Sequence, residues 1–300
     1  MKGLRKWSSQ STSNKIFDIV NFIILFLVFA LCLYPLYYIV IASMSESVVG
    51  AYLLPNGFNI EGYKMVFAEK EVWTGYANTI FYTVVGTVCS LLITLPCAYA
   101  LSRKDFVGRG WITGFIMVTM FISGGLIPGY LNMYNLGLVG TRAAIIFSGM
   151  TSAYNLIVSR TFFASTIPGE LLEAAKMDGC GNGKFFVKIV MPLSKPIVAV
   201  MALYFGVARW NSYFTEMIYL RDIEKYPLSL ILRRLLFSVQ AMEDMLSEGL
   251  IEAGDAVAKM ELSTVMQYCL IIVSTLPMLI IYPFLQKYFE KGIMIGSVKG

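Results

Sequence analysis

Histidine is absent from all 300 residues, which removes both the commonest general base and the commonest metal ligand. Cysteine does not fill the gap. Cys32, Cys89, Cys97, Cys180 and Cys269 are odd in number and widely scattered, so they suggest neither a shared metal nor an external disulfide framework. Charge is scarce too: Asp, Glu, Lys and Arg make up 14% of the chain, too little to solvate a soluble protein of this size. No Pro-rich or Ser-rich linker divides the chain, and no repeat of fixed period stands out. One domain is the simplest organisation, and an enzyme is not expected.

Apolar side chains are abundant, at 57% of residues with a mean hydropathy of +0.67. A helix needs about 20 of them to cross a bilayer. Six runs reach that length, at 17–41, 78–101, 111–134, 141–163, 196–220 and 262–286. The expected fold class is all-α, a polytopic membrane protein with six transmembrane helices. The first run follows a basic segment, as a signal peptide would, but it is about 25 residues long with no convincing cleavage site after it. It is expected to remain as an anchor.

Lysine and arginine set the orientation. Fifteen of the 24 fall at the N-terminus, in 102–110, in 160–195 and in the tail. Eight fall on the opposite side, and Arg209 lies inside a run. By the positive-inside rule both termini and the 164–195 loop face the cytoplasm, so a net charge of +5 needs no nucleic-acid partner. The expected division is a cytoplasmic segment 1–16, a membrane domain 17–290 and a cytoplasmic tail 291–300. Asp18 belongs at the inner interface, and Tyr34, Tyr37 and Tyr38 suit the outer aromatic belt. In the long outer loop 221–261, apolar residues from Leu228 to Phe237 are broken by Arg233 and Arg234 and followed by acidic residues. An amphipathic helix is expected there.

The charged loop 164–195 carries the most specific pattern. Glu173-Ala174-Ala175 is followed by Gly179, then Ile189 and Pro192. Pro168 and Glu170 suit a first helical turn, Gly179 can supply a left-handed residue that ends the helix, and Asn182 can cap a second helix that Pro192 closes. A helix, a sharp turn and a second helix follow, exposing Leu171, Leu172, Ala175 and Met177 to a partner's groove. An amphipathic loop lying on lipid is the plainer alternative. The run Gly179 to Lys184 imitates a phosphate loop, but Phe185 stands where Ser or Thr is needed, so no nucleotide site is read there.

This loop resembles the EAA loop of binding-protein-dependent ABC importers, with Met191 in place of a Leu. The likeness extends to Pro55–Ile60 before Tyr63, to Leu101–Phe106, to Ser123–Pro128 and to Lys291–Gly300, and over nearly the whole chain it is similar to carbohydrate-uptake permeases. Among these it looks closest to permeases for complex oligosaccharides described as lipoprotein-linked or polysaccharide transporters. The resemblance implies a heterodimer with a second related permease, two separate ATP-binding subunits that hold ATP and Mg, and an extracytoplasmic sugar-binding lipoprotein. No cofactor is implied on this chain. Glu173 to Gly179, including Asp178, would form the coupling helix: Glu173 would meet a basic group, Ala174 and Ala175 would pack in the ATPase cleft, and Gly179 would permit the bend. The tail from Lys291 would reach the same interface, although its glycines also suit a free end. Another cargo such as a peptide, or a membrane scaffold without transport, stays open as an alternative.

Ionisable groups inside a span usually face an interior or a cavity. Arg209 and Glu216 fit that rule, with Trp210, Asn211 and Tyr213 beside them offering polar and aromatic surface for sugar rings. An internal ion pair with interfacial aromatics is the structural alternative. Asn78, Tyr82, Asn132, Tyr134 and Asn155 are further candidates to line a path.

Overall fold

The computed structural model describes residues 11–48, 50, 53–248 and 253–297. The expected N-terminal segment falls outside these residues except for 11–16, as do the last three residues of the tail. Among the described residues there is no strand, only an isolated bridge between Ser45 and Phe58. The fold is helical, as the apolar runs require.

Among the described residues, three helices are long and apolar enough to cross a membrane. The first is α1, Thr12–Ser43, whose N-terminus is capped by the Ser11 hydroxyl accepting from the Asn14 amide. A short α2 follows, Glu61–Ala68. Next is α3, Lys70–Ser102, about 50 Å long at 1.5 Å per residue, more than the roughly 30 Å of a hydrocarbon core. It starts eight residues before the expected run, so the end of the presumed outer loop is already helix. The third long helix lies within the last element.

The remaining runs are interrupted. Residues 111–134 form α4, Arg109–Val118, and α5, Leu126–Asn135. Gly125 at φ +84° precedes α5, a backbone state that favours glycine. Residues 141–163 form α6, Arg142–Phe147, and α7, Ala153–Thr166, each with a hydroxyl cap, from Thr141 and Ser152. Then come α8, Gly169–Met177, and α9, Asn182–Leu193, which contains a π-helical turn at Phe186–Val190. α10, Lys195–Trp210, leaves α9 at a bend of 84°. If this bent pair counts as one crossing, the candidate crossings number four. α11, Phe214–Tyr219, a short turn at Ile223–Lys225, and α12, Leu228–Ser247, follow. The last helix is α13, Ala253–Ser297, with Pro277 and Pro283 inside it. The tail from Lys291, whose glycines also suit a free end, is helical as far as Ser297.

The chain divides into two compact units, Met1–Ala68 with Leu235–Val273, and Glu69–Arg234 with Ser274–Gly300. In the first, the Ser43 hydroxyl bonds the Tyr63 hydroxyl at 2.8 Å, and the Cys269 thiol donates to the Ser43 carbonyl. The Tyr38 and Tyr268 rings meet edge to face. In the second, α3 packs most extensively against α10 and α7. Its C-terminal half joins a cluster of Leu95, Ala98, Tyr99, Phe163, Phe185, Val190 and Met201. Tyr99 is the hub: its ring lies 5.8 Å from that of Phe163 and 5.2 Å from that of Phe186.

Phe185 is fully buried in this cluster while Val187, two residues on, is exposed. Phe185→Ala should cost about 3–5 kcal/mol, against less than about 0.5 kcal/mol for Val187→Ala. Thermal unfolding of the detergent-solubilised protein should show a large drop in midpoint for the first variant alone.

Candidate functional site

Residues 169–193 fold as a helical hairpin, α8 and α9 joined by a tight turn. The turn is a Schellman motif: the Cys180 amide donates to the Ala175 carbonyl at 2.8 Å and the Gly179 amide to that of Lys176 at 3.0 Å. Gly179 has φ +70°, the left-handed residue such a motif needs. Gly181, not Asn182, occupies the cap position of α9, and Pro192 sits within its last turn. The bend comes two residues later, at Ser194.

Side-chain burial corrects one expectation. Ala175 is not offered to a partner; it is buried in the Tyr99 and Phe163 cluster with Leu172 partly buried beside it. The two are three residues apart, on one helical face. Ile189 packs partly against the same cluster, and Pro192 is exposed. The outward stripe is Glu170, Glu173, Ala174 and Met177, at spacings of three, one and three. Met177 is 89% exposed, and Asp178 and Gly179 are also at the surface.

A second loop grips this hairpin. Arg103, just after α3, holds Asp105 through two bonds, Nε to Oδ1 at 2.8 Å and Nη2 to Oδ2 at 2.6 Å. Its third nitrogen, Nη1, donates to Oδ1 of Asn182 at 2.8 Å, at the start of α9. Lys176 of α8 reaches Asp105 Oδ2 at 3.2 Å. The Arg103 side chain, followed by the Lys176 ammonium, holds the Asp105 carboxyl well below the usual carboxylate range. A depressed pKa contributes stability above the unfolded value, near 4, and loses it only as pH falls through the folded value. An open cavity of about 420 Å³ lies here, lined by Tyr99, Arg103, Asp105, Phe106, Asn182 and Phe186 among others. In the sequence Arg103 and Asp105 stand out only through the resemblance of Leu101–Phe106; their spacing alone gives no sign of the partners 71 and 79 residues away.

The candidate path residues fall into separate groups. Asn78 is engaged on three sides: its amide nitrogen donates to the Glu224 and Tyr226 carbonyls and its oxygen accepts from Arg142. The Tyr82 hydroxyl donates to the Lys225 carbonyl at 2.9 Å. Both are buried and hold the Ile223–Lys225 turn. Arg209 donates to the Ile145 and Ile146 carbonyls, each at 3.1 Å, and to the Ser90 hydroxyl. Glu216, 3% exposed, accepts from Ser212 at 2.7 Å. Arg209 and Glu216 form no ion pair among the described residues. Trp210 donates to the Ser274 carbonyl and meets the Tyr76 ring. Tyr213 lies under the Arg233 guanidinium, 4.7 Å from its ring centre. Asn155 is buried at the start of α7. Asn132, Tyr134 and Asn211 are exposed.

A helical, highly apolar chain with a glycine-turned hairpin between long helices has the features of a transport component, and comparison with known proteins agrees. Residues 72–233 match the family described as "Binding-protein-dependent transport system inner membrane component", and the chain belongs to it. The family is one of ABC importer permeases rather than enzymes. Over 96% of its length the chain is 36% identical to the polygalacturonan/rhamnogalacturonan transport system permease protein YtcP of Bacillus subtilis (strain 168), covering 99% of that protein. It is also 36% identical to Protein LplC of the same organism, over 96% of each chain. Among solved structures it resembles a chain of a bacterial ABC transporter involved in the import of the acidic polysaccharide alginate. There the TM-score is 0.82 and the identity 36%, over 93% of this chain and 99% of that one.

Two substitutions probe the local geometry. Gly179→Ala forces an L residue into the left-handed region at a cost of about 1–2 kcal/mol, and amide exchange at Gly179 and Cys180 should quicken accordingly. A side chain at Gly86 on α3 would meet the Arg209 guanidinium. Gly86→Val should therefore lower stability by about 1–3 kcal/mol, read as a fall in melting temperature that Gly110→Val, facing open space, does not share.

Proposed function

We propose that this chain is one of two related permeases in an importer for an oligosaccharide or polysaccharide fragment. Two ATP-binding subunits drive it, holding ATP and Mg, and an extracytoplasmic sugar-binding lipoprotein delivers the cargo. Carbohydrate is supported by its relatives, whose names specify polygalacturonan, rhamnogalacturonan and alginate. Six crossings follow if α4 with α5, α6 with α7, and α10 with α11 each traverse once as two pieces beside α1, α3 and the apolar part of α13. Discontinuous helices of this kind are usual where a membrane protein lines a polar path. An inner-membrane protein of a bacterial cell with both termini and the hairpin on the cytoplasmic side is the orientation that the charge distribution supports.

One observation carries the coupling role: α8 is packed into its own permease through Ala175 and Leu172 yet presents Glu173, Ala174 and Met177 outward. A helix seated this way passes a push on its outer face to the body beneath it. Glu173 to Gly179 would then meet the ATPase as the coupling helix, with Ala175 contributing to the seat. ATP can shift inward-facing and outward-facing populations only through contacts that differ between them. For the cargo path, the exposed Asn132, Asn211 and Tyr213 are better placed to meet sugar than Asn78, Tyr82, Arg209 or Trp210, whose polar groups hold backbone. Glu216 and Asn155, both buried, are secondary candidates.

The complex reconstituted in lipid with its partner permease, ATPase and binding protein should hydrolyse ATP faster with oligogalacturonates or alginate oligomers. Glu173→Lys should abolish that stimulation while the subunits still copurify. Normal stimulation in the variant would remove the coupling assignment, and a response to peptides instead of sugars would overturn the cargo.

A further inference from the structure

Asp105 lies outside the matched loop motif, yet it is where the two arms of the hairpin and the end of α3 meet. Its carboxylate takes both prongs of Arg103 and the Lys176 ammonium of α8, while the remaining Arg103 nitrogen reaches Asn182 of α9. The fastening continues into the backbone. Arg109 donates to the Arg103 carbonyl and Arg160 of α7 to the Leu101 carbonyl, both at 3.1 Å, so the end of α3 is held by the elements on either side.

We propose that Asp105 is a positioning residue that locks the inner end of α3 to both arms of the hairpin, so that α3 moves with the hairpin as one body. This rests on the coupling role given above and deepens it by naming the path that displacement takes. An exposed ion pair alone is worth little. Here, however, a planar guanidinium meets a carboxylate through two bonds, a geometry that fixes orientation as well as distance, and the Arg103 side chain is only 15% exposed. The low carboxyl pKa agrees with a carboxylate that stays charged through the neutral range. At its far end α3 is fastened again, Asn78 and Tyr82 to the Ile223–Lys225 turn and the Thr79 hydroxyl to the Leu228 amide at 2.9 Å. A displacement delivered at Asp105 therefore reaches that turn along one continuous helix, with Pro96 the interior proline on the way.

The test uses the assembled transporter in lipid and the ratio of stimulated to basal ATP hydrolysis. Asp105→Asn should lower that ratio by about 5-fold or more, the low end of a typical coupling, with assembly and basal hydrolysis kept. A double variant, Asp105→Cys with Lys176→Cys, should be uncoupled while reduced and regain stimulation when joined by a short bis-maleimide. Each single-cysteine variant, treated alike, controls for the five native thiols. Full stimulation in Asp105→Asn, or in the reduced double variant, overturns the proposal because the link then carries nothing. Loss of activity on cross-linking overturns it because α3 and the hairpin must then slide past one another. A parent assembly that responds to sugar but tolerates Glu173→Lys would remove the coupling role itself, while one that no cargo stimulates would remove the transport reading and this proposal together.

Discussion

The interrupted helix at residues 142–166 depends on the guanidinium of Arg209. A helix that stops inside an apolar environment leaves carbonyls without partners, and each must be satisfied from within the protein. α6 stops at Phe147, and Arg209 of α10 donates to the carbonyls of Ile145 and Ile146. The same group needs room beside α3, and Gly86 provides it, since a Cβ there would meet the guanidinium. One cation therefore ties α10 to α3 and to the end of α6. Its lack of an acidic partner among the described residues makes sense on this account: the charge is matched by carbonyl dipoles and a hydroxyl rather than by a carboxylate.

That arrangement explains why some features were legible in the sequence and others were not. The Gly179 turn was legible because a Schellman motif is local, decided by a single left-handed residue between two helical stretches. α1 and α3 were legible because length and apolarity are all that a long crossing needs. The breaks after Val118, Phe147 and Trp210 were not, since an apolar run records distance from water and not the continuity of the helix. Ser123-Gly124-Gly125 was visible as a resemblance, but its role as a break emerged only from the backbone. Polar residues in spans were harder still. Asn78 and Tyr82 look identical in sequence whether they face a solute or a neighbouring carbonyl, and the carbonyls they hold lie more than 140 residues away.

Burial also separates the long helices by role. None of the most apolar stretch of α1 is buried, whereas 44% of the corresponding stretch of α3 is. Side chains such as Leu31 and Phe22 on α1, and Phe121 beyond α4, stand exposed. Patches of this extent in water mark surfaces meant to be covered; in a membrane, lipid supplies the cover. The polar residues of α3 tell the complementary story. Thr79, Ser90 and Thr94 are buried, and Thr79 and Ser90 bond neighbouring elements rather than only their own helix.

The hairpin combines these two regimes. Its inner face behaves as core, with Ala175, Phe185 and Val190 closed against Tyr99 and Phe163, and its outer face is left to charged and flexible side chains. Small Ala175 is what allows the close seat, because a larger residue would hold α8 away from the aromatic cluster. The two alanines of the motif thus face different ways: Ala174 outward, where close approach by another protein is feasible, and Ala175 inward, where close approach to the chain's own core has already occurred. The coupling role proposed for this segment would need a firm seat on one side and a free face on the other, and adjacent positions on a helix, about 100° apart, supply the two from consecutive residues.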